Sequence, residues 1–159
     1  MATSPKLNGG LTLIEVLVVM GILIFILSLG LFVSFDAYRG YIFRSERSVA
    51  VSVLEKARSR AVNNLYEMPH GVCYDDASRA YVIFRGASCI LGAANNETIP
   101  GSASVGVSGL AVLSPVVFEQ ITGKLVPQLS PYTSELDITL TSDAKTASIY
   151  INNEGRINW

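Results

Sequence analysis

Histidine is almost absent from this chain of 159 residues, which limits the chemistry that the chain can perform. His70 is the only one, so a His-rich metal site is excluded, and a Ser-His-Asp arrangement would need this residue at its centre. No Gly-x-Ser-x-Gly elbow or comparable motif accompanies it. We therefore predict that the protein is not an enzyme and holds no metal and no cofactor. His70 itself follows Pro69 and is expected in a turn.

Cysteine is equally scarce, since Cys73 and Cys89 are the only two. If this part of the chain lies in an oxidising compartment, the pair is expected to form a disulfide that closes a short loop. Two small buried side chains are the alternative, because the Cα separation that a bridge requires is not visible in a sequence. The nearby Asp75 and Asp76 are typical of a turn, with calcium ligation as the alternative.

Net charge is also small, with 12 basic against 13 acidic residues. This balance predicts no strong attraction to nucleic acid or to acidic lipid. Basic residues do concentrate between 44 and 60, but glutamates are interleaved with them, so we expect a solvated helical face. Nucleic-acid binding and salt bridges between subunits are the alternatives. The basic residues concerned are Arg44, Arg47, Lys56, Arg58 and Arg60.

Charge is missing from residues 11–35 apart from one carboxylate, Glu15. At ~1.5 Å per residue, a helix of this length exceeds the ~30 Å hydrocarbon core of a bilayer, which predicts a transmembrane segment. An ionisable group there costs ~2.5–3.5 kcal/mol on insertion scales, so Glu15 is expected to meet a cationic partner. A secretory signal peptide is disfavoured, because its apolar region is shorter and is followed by a small-residue cleavage site.

Beyond the apolar run the helical pattern continues and becomes amphipathic. Apolar residues recur at helical spacing from 38 to 65, while charged residues occupy another face. Pro69 disfavours helix at Met68, so the helix is expected to end at residue 67.

After Pro69 the chain changes to short alternating segments bounded by turn residues. They predict three hairpins, a loop over 92–109 and a last short strand at 156–159. One helix followed by antiparallel hairpins is an α+β plan. The expected hairpin strands are 71–74 with 80–85, 116–119 with 124–126, and 136–141 with 147–151.

Two parts of the chain carry a family resemblance. A short polar leader ends in Gly10, and a long apolar helix with a glutamate at its fifth position, Glu15, follows. This arrangement resembles the class III signal of type IV pilins and type II secretion pseudopilins. Residues 54–61, Leu-Glu-Lys-Ala-Arg-Ser-Arg-Ala, and the closing hairpin and glycine turn over 138–157 resemble the H-type pseudopilins and the related minor pilins.

The resemblance implies a pilin-like α+β fold. One long N-terminal α-helix, with an apolar transmembrane half and an amphipathic second half, would pack on an antiparallel β-sheet head. The expected parts are a cleaved leader 1–10, a transmembrane and assembly helix 11–35, an amphipathic helix 36–67 and a β-rich head 68–159. The protein would lie in a prokaryotic inner membrane as a single-pass protein, with its head on the periplasmic or extracellular side, and later in a filament.

The resemblance also implies processing and assembly. A prepilin peptidase would cut between Gly10 and Leu11 and methylate the new amino terminus of Leu11. Glu15 would pair with that terminus in a neighbouring subunit. The implied partners are other pilin or pseudopilin subunits, the prepilin peptidase, an inner-membrane assembly platform and, before assembly, membrane lipid.

The expected function is that of a structural subunit, and a minor one, of a type IV pilus or type II secretion pseudopilus. A binding module carried on a filament, for DNA uptake or adhesion, is one alternative. A single-pass anchored domain with no role in a filament is the other.

Overall fold

The computed structural model describes residues 12–126, 135–143 and 145–159, without the side chains of residues 30–34. By its internal contacts the chain divides into two units, Met1–Gly40 and Tyr41–Trp159. The second unit is called the head below. The described helical elements are α1, Leu13–Val62, and a short 3₁₀-helix, Leu65–Glu67. The described strands are β1 His70–Asp75, β2 Ala80–Arg85, β3 Glu97–Pro100, β4 Gly106–Ser108, β5 Val116–Phe118, β6 Glu135–Ser142, β7 Lys145–Asn152 and β8 Ile157–Asn158.

The part of α1 that belongs to the head is amphipathic. Its core-facing side chains recur at spacings of three and four residues and are almost completely buried, as the pattern predicts. The α-helix ends at Val62, because Asn64 takes a left-handed backbone conformation with φ of 53°. Only the 3₁₀-helix continues to Glu67. The core-facing residues are Ala50, Val53, Leu54, Ala57 and Ala61.

The strands form two antiparallel four-stranded sheets. Sheet A has the order β3-β2-β1-β5, and sheet B has the order β4-β6-β7-β8. The first and third predicted hairpins are confirmed as the pairs β1–β2 and β6–β7. The second is reduced to β5 and an isolated bridge between Phe118 and Leu125.

The main hydrophobic core of the head lies between α1 and the two sheets. It contains Leu54 from α1, Phe118 from sheet A and Ile138 from sheet B, all fully buried. Because side chains alternate along a strand, the other face of sheet A carries a second set of buried residues. This smaller cluster consists of Cys73, Val82, Phe84, Cys89 and Val117.

The predicted fold class is wrong, although the fold is α+β in general. The prediction was one long N-terminal helix, half of it transmembrane, on an antiparallel sheet. The described chain has two helical elements and two separate sheets. Alternation along a strand indicates which residues form a hairpin, but long-range contacts decide which hairpins share a sheet. The segment 92–109, predicted as a loop, supplies the short strands β3 and β4 at sheet edges, where polar residues are tolerated.

The predicted transmembrane segment and the predicted single-pass inner-membrane location are also wrong. Within the described residues, no helix combines the length and the apolar character that crossing a membrane requires.

Candidate functional site

The beginning of α1 contains the predicted assembly residue, Glu15, in a capping box. Thr12 precedes the first helical residue and stands at the N-cap position. Its Oγ1 accepts a hydrogen bond from the backbone N–H of Glu15 at 3.4 Å, and the Oε2 of Glu15 accepts one from the backbone N–H of Thr12, also at 3.4 Å. This reciprocal pair stabilises the helix start. The predicted processing residues, Gly10 and Leu11, lie outside the described residues.

Glu15 therefore has a role inside its own chain that the sequence prediction missed. The signal was present, since a threonine followed three residues later by a glutamate is the pattern of a capping box. An acidic residue in the first turn also interacts favourably with the helix dipole. The Glu15 side chain is exposed, and its carboxylate can accept more hydrogen bonds than the one it receives from Thr12. A further hydrogen-bond donor or a cationic group can therefore still reach it.

Apolar side chains cover every face of α1 over residues 13–29. All the large ones in this range are at least 45% exposed, from Val16 at that value to Leu13 at 78%. The hydroxyl of Ser28 donates to the backbone carbonyl of Phe25, which removes one polar group from this surface. A helix that is apolar all round is one that other apolar groups normally cover. This range, with Glu15 near its start, is called the assembly segment below.

Part of the basic cluster of α1 is engaged within the head. Lys56 and Arg60 both form ion pairs with Glu97. The hydrogen bonds from these two side chains lower the pKa of Glu97 below its usual value. Arg58 donates to the backbone carbonyl of Glu154 at 3.2 Å. Lys56 is exposed, as the prediction of a solvated face requires, whereas Arg58 and Arg60 are only partly exposed. All three side chains hold neighbouring segments against the helix.

Glu46 is a buried carboxylate on the core-facing side of α1. It is 4% exposed and lies between the buried Phe43 and Ala50. Its Oε1 accepts a hydrogen bond from the hydroxyl of Tyr81 at 2.9 Å, and its Oε2 accepts one from the backbone N–H of Ser102 at 2.8 Å. Burial, followed by the nearby Glu46 carboxylate, raises the pKa of Tyr81, so its phenol stays protonated and donates. Glu46 thereby joins α1 to sheet A and to the segment after β3.

His70 is fully buried at the start of β1, so the prediction that it occupies a turn is wrong. Its Nδ1 donates to the backbone carbonyl of Met68 at 3.0 Å, while the buried Nε2 has no hydrogen-bond partner among the described residues. Burial lowers the pKa of His70; the bond to Met68 opposes this shift, and the positive charges of Arg60 and Arg85 add to it. The folded head therefore favours the neutral ring.

The stability of the protein is expected to decrease as the pH falls from 7 to 5.5. Because the folded-state pKa of His70 lies below 6.5, the unfolded chain takes up a proton in this range before the folded chain does. The resulting slope in the unfolding free energy is at most ~1.4 kcal/mol per pH unit. Urea unfolding at several pH values measures it. His70→Asn keeps a donor for the Met68 carbonyl and does not titrate, so its slope should be flatter; an unchanged slope would contradict the assignment.

Cys73 and Cys89 are joined by a disulfide, with their Cα atoms 6.4 Å apart. Cys73 lies in β1, and Cys89 lies in the segment after β2. The bond therefore ties that segment to the face of sheet A that carries the smaller hydrophobic cluster. Closing a loop of this size contributes up to ~3 kcal/mol in the chain-entropy description.

Asp75, the first of the two adjacent aspartates, stabilises the turn between β1 and β2. One carboxylate oxygen of Asp75 accepts a hydrogen bond from the backbone N–H of Ala77 at 3.1 Å, and the other accepts one from the hydroxyl of Ser78 at 2.6 Å. This is how an aspartate stabilises a turn. Within the described ranges no three His, Cys, Asp or Glu residues are grouped so that they could hold a metal ion.

The geometry therefore offers an exposed apolar assembly segment and a head braced by buried polar contacts. Comparisons with protein families, with curated proteins and with solved structures found no match.

Proposed function

We propose that the protein is a structural subunit of a type IV pilus or type II secretion pseudopilus, most like an H-type minor subunit. The observation that carries the proposal is the assembly segment. Its apolar side chains are exposed on all faces over 13–29, and one exposed carboxylate, Glu15, stands near its start. In the proposed filament this segment packs among the equivalent helices of neighbouring subunits.

Burial of the apolar surface supplies the driving force for this packing. Removing apolar surface from water contributes about 25 cal/mol per Å², and the contacts are not directional. Apolar contacts alone therefore leave the position of one helix along another undefined. A charged pair within the apolar bundle defines it, because a carboxylate without a partner there is costly.

Glu15 supplies the negative charge of that pair, and processing supplies the positive one. Cleavage by a prepilin peptidase between Gly10 and Leu11 would create an amino terminus four residues before Glu15. The amine of one subunit then pairs with Glu15 of its neighbour. The proposed partners are accordingly the prepilin peptidase and other pilin or pseudopilin subunits. Nucleic-acid binding has less support, because Lys56, Arg58 and Arg60 are engaged within the head.

Variants of Glu15 and Thr12 test the proposal, because they separate the role of Glu15 in capping the helix from the role of its negative charge in assembly. Glu15→Gln keeps a side-chain acceptor at the capping position and removes the charge. Thr12→Ala removes one hydrogen bond of the capping box and keeps the charge. If the charge positions the subunit, Glu15→Gln and Glu15→Leu should both reduce the amount of protein in the sheared filament fraction at least about tenfold, whereas Thr12→Ala should have a small effect.

Mass spectrometry of the N-terminal peptide, with and without the prepilin peptidase, provides the control in this experiment. Each variant should begin at methylated Leu11 when the peptidase is present, so that any loss from filaments reflects assembly and not processing. An uncleaved leader in the wild-type chain would refute the proposal. Normal incorporation of Glu15→Leu into filaments would refute the role given to Glu15.

A further inference from the structure

A groove follows an exposed side of α1 in the head. It has a volume of about 510 Å³ and lies between the helix and the side chain of Trp159, which is 57% exposed. Two cations, Arg44 and Arg47, lie at one end of the helical side of the groove, and one carboxylate, Glu55, lies at the other end. Along α1 the residues that line the groove are Arg44, Arg47, Ser48, Val51, Ser52 and Glu55.

The two arginines are the chemically distinctive part of the groove. Neither side chain has an ion pair or a hydrogen bond with any described residue, whereas Lys56, Arg60 and Lys124 are all paired. Arginine and tryptophan are the residue types that most often carry the binding energy of protein interfaces. The groove therefore has two cations that no described side chain pairs with, beside an indole that is largely exposed.

Ser48 and Ser52 line the groove with small side chains, and the hydroxyl groups of both already donate hydrogen bonds within the helix. The Ser48 hydroxyl donates to the backbone carbonyl of Arg44 at 3.1 Å, and the Ser52 hydroxyl donates to that of Val49 at 2.8 Å. Charge selectivity consequently comes from the arginines at one end and from Glu55 at the other. A matching partner presents carboxylates to the arginines and no carboxylate to Glu55.

The turn between β1 and β2 presents carboxylates of the required kind. Asp75 and Asp76 are the only adjacent acidic residues in the chain. Hydrogen bonds from Ala77 and Ser78 hold the Asp75 side chain in place, and Asp76 is exposed. The bond from Ser78 also lowers the pKa of Asp75, so this carboxylate is ionised at neutral pH. The turn therefore presents two neighbouring carboxylates at the end of a hairpin, and hydrogen bonds hold one of them in place.

We infer that the groove at Arg44 and Arg47 of one copy binds the Asp75–Asp76 turn of a second copy. The inference rests on the proposed function, because it describes a contact between heads of a filament. Arginine and carboxylate groups suit each other through paired hydrogen bonds. The groove and the turn are different surfaces of the same chain. When two copies make this contact, the copy that uses its groove still has a free turn, and the copy that uses its turn still has a free groove. Such a heterologous contact can repeat along a filament.

Photo-crosslinking in cells that carry the full-length chain tests the inference. The crosslinking residue p-benzoylphenylalanine replaces the exposed Ser52 in the groove, and Ser59, exposed on the same helix outside the groove, serves as the matched control position. The expected product from position 52 is a crosslink to the peptide 70–85 of a second copy. Arg47→Glu and Asp76→Lys should each lower its yield about tenfold, because each places like charges together.

Co-expression of the two charge-reversed chains completes the test. A copy with Arg47→Glu and a copy with Asp76→Lys should together restore the crosslink, because opposite charges face each other again. If subunits enter the sheared filament fraction but position 52 gives no crosslink to 70–85, or gives one that charge reversal leaves unchanged, the inference is overturned. Crosslinking to a different protein overturns it equally. Absence of the wild-type chain from that fraction would refute the proposed function itself.

Discussion

Replacing Glu46 by leucine is expected to lower the free energy of unfolding by about 3 kcal/mol, although the change makes the core more apolar. The Tyr81 hydroxyl and the Ser102 backbone N–H both donate to this carboxylate. A buried donor that loses its acceptor costs about 1–3 kcal/mol, and Tyr81 is fully buried while Ser102 is half-buried. Burial of the larger apolar side chain offsets part of that cost. Glu46→Gln retains one acceptor oxygen and should lose about 1 kcal/mol.

Urea unfolding, followed by circular dichroism and by the fluorescence of the single tryptophan, measures these differences. Glu55→Leu is the matched control, because this glutamate is exposed on the same helix and should change stability by no more than about 0.5 kcal/mol. Tyr81→Phe removes one donor and should make the subsequent loss of the Glu46 carboxylate less costly, so the two changes are not additive. Equal effects of Glu46→Leu and Glu55→Leu would refute the buried cluster.

Replacing Gly155 by alanine is expected to cost about 3–4 kcal/mol, which is large for the addition of one methyl group. The residue has a φ of 73°, where an L-residue loses about 1–2 kcal/mol. A Cβ there would also overlap the backbone carbonyl oxygen of Gly123 and lie 3.0 Å from Nε of Arg58. Because a backbone carbonyl cannot rotate away, relief of the overlap requires the two segments to separate.

Gly86→Ala is the control for the backbone contribution. Gly86 has a φ of 96°, but a Cβ there would meet nothing within 4 Å. Its substitution should therefore cost only the conformational part, about 1–2 kcal/mol. Denaturation of both variants measures the difference. If the two substitutions cost the same, the close approach of Gly155 to Gly123 does not constrain the head.

Gly155 shows which features of the fold the sequence could predict and which it could not. The residues before β8, Asn153-Glu154-Gly155, are typical of a turn, because turn chemistry is local. The need for glycine at 155 depends on Gly123, which comes from a different segment of the chain. A sequence shows no sign of such an approach.

Glu46, on the helix, likewise has partners that the sequence could not predict. Its position between Phe43 and Ala50 was visible in the helical pattern, and a carboxylate on the apolar stripe was a signal that could have been used. Its partners could not be predicted, since Tyr81 and Ser102 reach it only when the sheet packs on the helix. The burial of His70 was hidden for the same reason, because burial depends on neighbours distant along the chain.

The sequence by itself determined the features whose causes are local. The apolar composition of 13–29, the position of Glu15, the helical spacing that buries Leu54 and the alternation in the β6–β7 hairpin all follow from residues close together in the chain. The tertiary structure alone decided the separation into two sheets, the pairing of Cys73 with Cys89 and the ion pairs of Glu97. Those features join segments far apart in the chain, and only packing around a shared core brings such segments into contact.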